Sequence, residues 1–173
     1  MLFQGEAGPA LRNAKGLPHL LDAPTGNALR LGLHSPAGDE GYPGNLDIEL
    51  ALSIGPDVLD IELIARTDAP TPVNLTYHPY FNLGGDATDH WLRIPAGHYL
   101  PVSPGLIPTG EVLSVAGTPF DFREGRILAP PPLHVHPQLT AGGGYDHCWV
   151  LDEHADCHCE LRSPAADLAL TMS

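Results

Sequence analysis

The amino-acid sequence predicts an all-β protein, and its composition and patterning both favour this fold class. Nineteen glycines and nineteen prolines are spread over 173 residues, and so many helix breakers favour short strands joined by turns. Residues 46–53 alternate apolar and polar side chains, as a half-buried strand does. No long stretch shows the apolar spacing of a helix. With 43% hydrophobic residues, a chain of this length can build one domain around a hydrophobic core.

The charge balance disfavours several classes of partner. Eight basic residues against 21 acidic ones give a net charge of −13, which disfavours nucleic acid and anionic membranes because both attract positive surfaces.

The sequence shows no sign of a secreted or membrane-spanning protein. The chain start lacks a basic segment followed by an apolar run, and no stretch is apolar enough to span a bilayer. Three cysteines do not make a disulfide framework. We therefore expect a soluble, cytoplasmic protein that binds neither nucleic acid nor a membrane.

The first half of the chain predicts a hairpin. Residues 1–28 show no sustained period, and we expect an irregular N-terminal segment there, followed by a β domain over residues 29–173. Residues 29–33 alternate as a strand does, and residues 35–45 form a turn-rich loop. Residues 46–53 and 59–66 then predict an antiparallel hairpin with one polar face.

The second half predicts further short strands. Residues 91–94 and 98–102 flank a Pro-Ala-Gly turn, and residues 159–163 and 168–172 predict a second hairpin. Between residues 102 and 159, three glycines at 142–144 precede a strand that begins after Asp146. Asp146 is therefore expected to project from a strand start, where its carboxylate can either accept hydrogen bonds from a ligand or cap the glycine turn.

A single histidine is the centre of the segment formed by residues 71–85. The segment opens with a β-rich run and closes on Asn-Leu-Gly-Gly, and Tyr77 and Pro79 bracket His78, so we expect this ring at a strand end. A fixed histidine can donate or accept a proton near neutral pH. The alternative is a buried structural histidine that hydrogen-bonds a carbonyl group.

The same segment resembles the signature of the aldose 1-epimerase (galactose mutarotase) family, in which it carries the catalytic histidine. Tyr77 stands where the family more usually has asparagine. The loop at residues 35–45 and the Tyr145-Asp146-His147 segment also resemble family segments. The signature residues that match are Asn74, Leu75, Thr76, His78, Tyr80, Phe81, Asn82 and Leu83.

The resemblance implies both a fold and an activity. The fold is a large antiparallel β-sandwich, the galactose mutarotase-like supersandwich, incomplete in this chain. The activity is that of an isomerase that interconverts α and β anomers of hexoses by acid/base ring opening, with His78 as catalytic acid. Asp146 and Asn74 would bind the sugar substrate. No metal, nucleotide or other cofactor is needed for this chemistry.

Two further functions remain open. A degenerate mutarotase-like protein would hold sugars without turning them over. An unrelated metal-binding protein would use a cluster late in the chain, although a Cys-x-Cys spacing on a strand does not suit structural zinc. His147 alone is more typical of a structural histidine, and Trp149 can either stack on a sugar or belong to the core. The cluster comprises His147, Cys148, His154, Cys157, His158 and Cys159.

The resemblance places the general base of the family, a glutamate, beyond Ser173. Turnover is then expected to be slow unless a glutamate of this chain reaches the sugar; the candidates are Glu111, Glu124, Glu153 and Glu160. We also expect an exposed sheet edge beside residues 168–172, through which the protein would self-associate.

Overall fold

The computed structural model describes residues 19–20, 26–129, 132–152, 154 and 156–173. They divide into two compact units, one within Glu6–Tyr77 and one that includes His78–Ser173. The all-β fold class is confirmed: all strand pairs among the described residues are antiparallel. The limits of the irregular segment and the β domain remain predictions. His19–Leu20, within the segment expected to be irregular, forms a strand.

The first unit contains one sheet in the order β1-β2-β3-β4. Its alternation places leucines of three strands in one row, because Leu31 pairs with Leu50 and Leu50 with Leu63. On the opposite face the Arg30 guanidinium donates to Glu49 Oε1, with Nε at 2.7 Å. The predicted hairpin is therefore confirmed. The strands are β1 (His19–Leu20), β2 (Ala28–Ser35), β3 (Leu46–Ile54) and β4 (Leu59–Thr67).

The second unit contains two smaller sheets, in the orders β11-β10-β5-β8 and β7-β6-β9. The predicted hairpin at the chain end is confirmed, with Leu161 opposite Leu170. The strands are β5 (Trp91–Arg93), β6 (His98–Leu100), β7 (Leu113–Ser114), β8 (Arg126–Ile127), β9 (Cys148–Val150), β10 (Cys159–Ser163) and β11 (Leu168–Met172).

Aromatic side chains form the core of the second unit. Tyr99 and Phe120 are almost fully buried, and their rings stack with centroids 4.4 Å apart. Phe122 is buried in a neighbouring cluster. Tyr145 and Trp149 pack against both clusters, so they join the two parts of the core.

One short helix was not predicted. Helix α1 (Pro137–Gly142) follows a 3-10 turn at Leu133–Val135 and buries Leu139 completely. It ends at Gly143, whose φ of 65° is left-handed, and Gly144 N–H donates to Leu139 O at 3.0 Å. Within the described part of the chain, we find no helix with the length and apolarity to cross a membrane.

Candidate functional site

The second unit contains a cavity of about 500 Å³. Such a volume lies within the range of small-molecule sites, which is roughly 300–1,000 Å³. The cavity combines hydrogen-bonding groups with aromatic and aliphatic walls, as sites for polar ligands with apolar faces do. Its lining residues are His78, Tyr80, Ile94, Asp146, His147, Cys148, Trp149, Leu151, His158, Cys159 and Met172.

His78 lies in this cavity, but the secondary structure around it differs from the prediction. Residues 71–85 form no strand, so the expected strand end at His78 is wrong. The end of this segment is instead held by hydrogen bonds: Gly84 N–H donates to Asn82 Oδ1 at 2.8 Å, and Ser163 Oγ donates to Gly84 O at 3.0 Å. The His78 side chain is exposed and its ring lies 4.9 Å from that of Tyr80. Its exposure does not suit the alternative of a buried structural histidine.

Asp146 lines the same cavity two residues before β9, as the sequence predicts. Its carboxylate is exposed and makes no hydrogen bond to the described residues, so it does not cap the glycine turn. The residue before it is firmly held: Arg126 Nη2 donates to Tyr145 Oη at 2.6 Å, and the same guanidinium lies 4.4 Å from the Phe122 ring centre. Asp146 therefore offers a free acceptor group on an anchored backbone.

His147, the residue after Asp146, is held by the core. Its ring lies 4.6 Å from that of Phe120, and its Nε2 is 3.1 Å from Gln138 Oε1. Burial lowers the pKa of His147, and this effect outweighs the opposing effect of Asp146. These contacts agree with its interpretation as a structural histidine.

Trp149 has a place in both the core and the cavity. Its indole N–H donates to Phe120 O at 3.0 Å, and the residue also belongs to the cavity lining. The two interpretations of the sequence are therefore compatible for this residue.

The third histidine of the cavity is His158, for which the sequence suggests only the role of a metal ligand. Its backbone N–H donates to Met172 O at 2.8 Å, which places it at the β10–β11 hairpin. Its Nδ1 is buried and has no partner among the described residues. No local sequence signal identifies it as a cavity residue, because the pairing that brings it there joins residues distant in sequence.

The candidate metal cluster does not assemble among the described residues. No group of three histidine, cysteine or acidic side chains in the described ranges is close enough to hold a metal ion. Cys148 and Cys159 are free thiols, and burial raises the pKa of both. They line the cavity as small, half-buried side chains.

Three of the four glutamates considered as a general base are described by the structure, and none of these three lines the cavity. Within the described ranges, no glutamate lines the cavity. Glu160 accepts a hydrogen bond from Arg162 Nε at 2.7 Å, and Glu111 and Glu124 are exposed. Glu153 lies outside the described residues. Asn74 is exposed and belongs to the first unit, and its part in sugar binding remains a prediction.

The described residues thus form an antiparallel β fold with one cavity whose lining includes His78 and Asp146. Comparisons with known proteins identify the family. The family model described as aldose 1-epimerase matches residues 19–173. The chain is 37% identical over 151 residues to an aldose 1-epimerase of Haemophilus influenzae and 40% identical over 136 residues to human galactose mutarotase. The chain therefore belongs to the aldose 1-epimerase family.

These matches cover most of this chain but less than half of each relative. The two alignments span 83% and 76% of the chain, and 44% and 38% of the relatives. A solved galactose 1-epimerase from Lactobacillus acidophilus is 31% identical, with a TM-score of 0.75 over 84% of this chain and 45% of its own. A GalM/aldose epimerase homologue from C. elegans has the same TM-score at 24% identity and supports the fold alone.

Proposed function

We propose that the cavity binds an aldose and interconverts its anomers, with His78 as catalytic acid and Asp146 as a ligand of sugar hydroxyls. The observation that carries this proposal is that both side chains line one cavity of about 500 Å³. Relatives that share about 40% identity are named aldose 1-epimerase or galactose mutarotase. His78 and Asp146 lie 68 positions apart, so the fold and not the sequence brings them together.

The reaction needs two proton transfers. Protonated His78 donates its proton to the ring oxygen, the bond from C1 to that oxygen breaks, and the C1 hydroxyl becomes a carbonyl as its proton leaves. After rotation about the C1–C2 bond, the hydroxyl oxygen attacks the C1 carbonyl and returns its proton to His78, while the C1 oxygen regains the proton that it lost, so that either anomer forms. Because no glutamate in the described ranges lines the cavity, water entering the open cavity is the acceptor that we propose for the hydroxyl proton.

Asp146 and the aromatic walls orient the sugar. An ionised carboxylate only accepts hydrogen bonds, so Asp146 is suited to a pair of donating hydroxyls. Tyr80, which is 90% exposed, and Trp149 offer ring faces to the apolar face of a pyranose. The cavity thus supplies both kinds of contact that a hexose needs.

Polarimetry of freshly dissolved α-galactose tests the proposal. We expect the protein to accelerate mutarotation, and His78→Gln to lower the catalysed rate by roughly 100-fold or more, the usual contribution of a positioned general acid. His98→Gln is the matched control, because His98 is exposed on β6 and lies outside the cavity lining. Equal rates for the two variants would contradict the assignment of His78.

A sugar-binding protein without turnover is the second candidate function. It is favoured by the lack of a glutamate in the lining formed by the described residues. Titration with galactose, followed by tryptophan fluorescence, separates the two: binding without accelerated mutarotation supports this candidate. Asp146→Asn should weaken that binding, whereas Asp89→Asn, an exposed change outside the cavity, should not.

A further inference from the structure

A side-chain amide of helix α1 forms two hydrogen bonds to the backbone of one residue. Val102 N–H donates to Gln138 Oε1 at 2.7 Å, and Gln138 Nε2 donates to Val102 O at 3.0 Å. Exchanging the oxygen and nitrogen of the amide would oppose donor to donor and acceptor to acceptor. The orientation of the Gln138 amide is therefore fixed by the backbone.

This orientation also fixes the protonation of His147. Gln138 Oε1 lies 3.1 Å from His147 Nε2, and an amide oxygen cannot donate, so Nε2 carries the hydrogen. A second proton would occupy Nδ1, which is buried and has no partner among the described residues. A buried N–H without an acceptor is costly, and His147 is consequently held as the neutral Nε2–H tautomer.

The charged and titratable groups around His147 leave this conclusion unchanged. Asp146 favours the charged imidazole, whereas burial and His136 disfavour it, and the pKa of His147 is lowered overall. The His136 Nδ1 accepts the Gln138 N–H at 3.2 Å, which adds a further link between the helix and the turn before it. The imidazole also packs against the rings of Phe120 and Tyr99, whose centroids lie 4.6 and 6.0 Å from its own.

We propose that Gln138 is a positioning residue of the candidate sugar site, which acts through His147 on Asp146. The carboxylate of Asp146 has no hydrogen bond to the described residues, so its direction depends on the backbone on either side of it. On one side Tyr145 is bonded to Arg126 at 2.6 Å, and on the other His147 is bonded to Gln138. The contribution of this positioning to sugar binding rests on the proposed function.

NMR spectra of the protein labelled uniformly with the NMR-active nitrogen isotope test the first step without any sugar, because they report both the His147 ring nitrogens and the Asp146 backbone amide. In the wild type we expect His147 as the Nε2–H tautomer at pH 7. In Gln138→Met, which keeps the side-chain length but removes the oxygen and the nitrogen of the amide, we expect a mixture of tautomers and a shifted Asp146 amide resonance. Gln138→Glu retains an acceptor for Nε2–H and should restore the single tautomer while raising the pKa of His147.

Thr140→Val is the matched control for a general effect on the helix. It removes the hydrogen bonds from Thr140 Oγ1 to Leu133 O at 2.8 Å and to His136 O at 3.5 Å, and leaves the contacts of the Gln138 amide with Val102 and His147 in place. We expect it to leave the His147 tautomer and the Asp146 resonance unchanged.

The second step is measured as galactose affinity. We expect Gln138→Met to weaken binding by roughly 10-fold, as one misplaced hydrogen-bonding group does, and Thr140→Val to leave it unchanged. A wild type with the Nδ1–H tautomer would overturn the inference even if Gln138→Met proved hard to fold. A folded Gln138→Met variant with unchanged His147 and Asp146 spectra would also overturn it. Lack of galactose binding by the wild type would refute the proposed function instead, and the spectra would still decide the role of Gln138.

Discussion

Substitution of Gly125 by alanine should destabilise the second unit through a single close approach. Gly125 has a φ of 73°, and a Cβ there would lie 1.8 Å from Trp91 Cζ2 and 2.4 Å from Cε2. Carbon atoms in contact are about 3.5–4.0 Å apart, so the indole would have to move by roughly 2 Å. The ring cannot move freely, because Trp91 lies in β5 opposite Ile127 and under the Arg162 guanidinium.

The expected cost has two parts. A left-handed backbone at a residue with a Cβ costs about 1–2 kcal/mol, and overpacking costs about 1–3 kcal/mol, so Gly125→Ala should lose about 2–5 kcal/mol of unfolding free energy. Gly117→Ala is the control for the backbone part alone: its φ is 71°, but nothing lies within 4 Å of the added Cβ. It should lose only about 1–2 kcal/mol. Gly97→Ala, with open space and no positive φ, should be neutral or slightly stabilising.

Urea unfolding followed by tryptophan fluorescence measures the series. The protein has two tryptophans, Trp91 and Trp149, and both lie in the second unit, so the signal reports that unit. A loss for Gly125→Ala no larger than that for Gly117→Ala would refute the argument, because it would mean that the indole moves at no cost.

Two further predictions concern polar contacts of the same unit. Tyr145→Phe removes the hydroxyl that Arg126 reaches at 2.6 Å and should cost about 1 kcal/mol in the same assay; an unchanged midpoint would contradict a stabilising bond. Hydrogen bonds from Arg123 lower the pKa of Asp121 below its usual 3.8. These bonds therefore stabilise the folded state fully above pH 3.8, and the stabilisation is lost as the pH falls through the lowered pKa. Asp121→Asn should therefore reduce the acid sensitivity of unfolding between about pH 2 and 5, which urea midpoints across this range would test.

The strands could be predicted where side-chain alternation and turn residues occur together. Residues 46–53 and 59–66 alternate on both sides of a Gly-Pro-Asp turn, and they form the β3–β4 hairpin. Residues 159–163 and 168–172 likewise form the β10–β11 hairpin. In these hairpins the partner strand is close in sequence, so local pattern is sufficient.

The segment around His78 shows why a local pattern can fail. Residues 71–76 contain β-branched side chains, but a strand also needs a partner, and Pro70, Pro72 and Pro79 remove backbone donors from any ladder. Helix α1 was missed for a different reason: six residues are too few to show a helical period.

The candidate site was predictable only in part. His78 and Asp146 could be named from residue types and from the family resemblance, whereas His158 and Gln138 could not. Gln138 contacts Val102, 36 positions away, and His147, 9 positions away, and no sequence pattern encodes such contacts. The cavity arises from pairings between distant strands, such as that of Trp149 with Tyr99.

The outer position of β4 has a consequence for the timing of solvent exchange. Strand β4 ends the order of its sheet, and no described strand pairs with its outer side. Successive amides of an antiparallel strand point alternately toward and away from the neighbouring strand. Along Leu59–Thr67 every second amide hydrogen should therefore exchange quickly with solvent deuterium. The amide hydrogens of β3, which has a partner strand on each side, should all exchange slowly. The alternation of side chains along this strand is thus accompanied by an alternation in the exchange rates of its backbone amides.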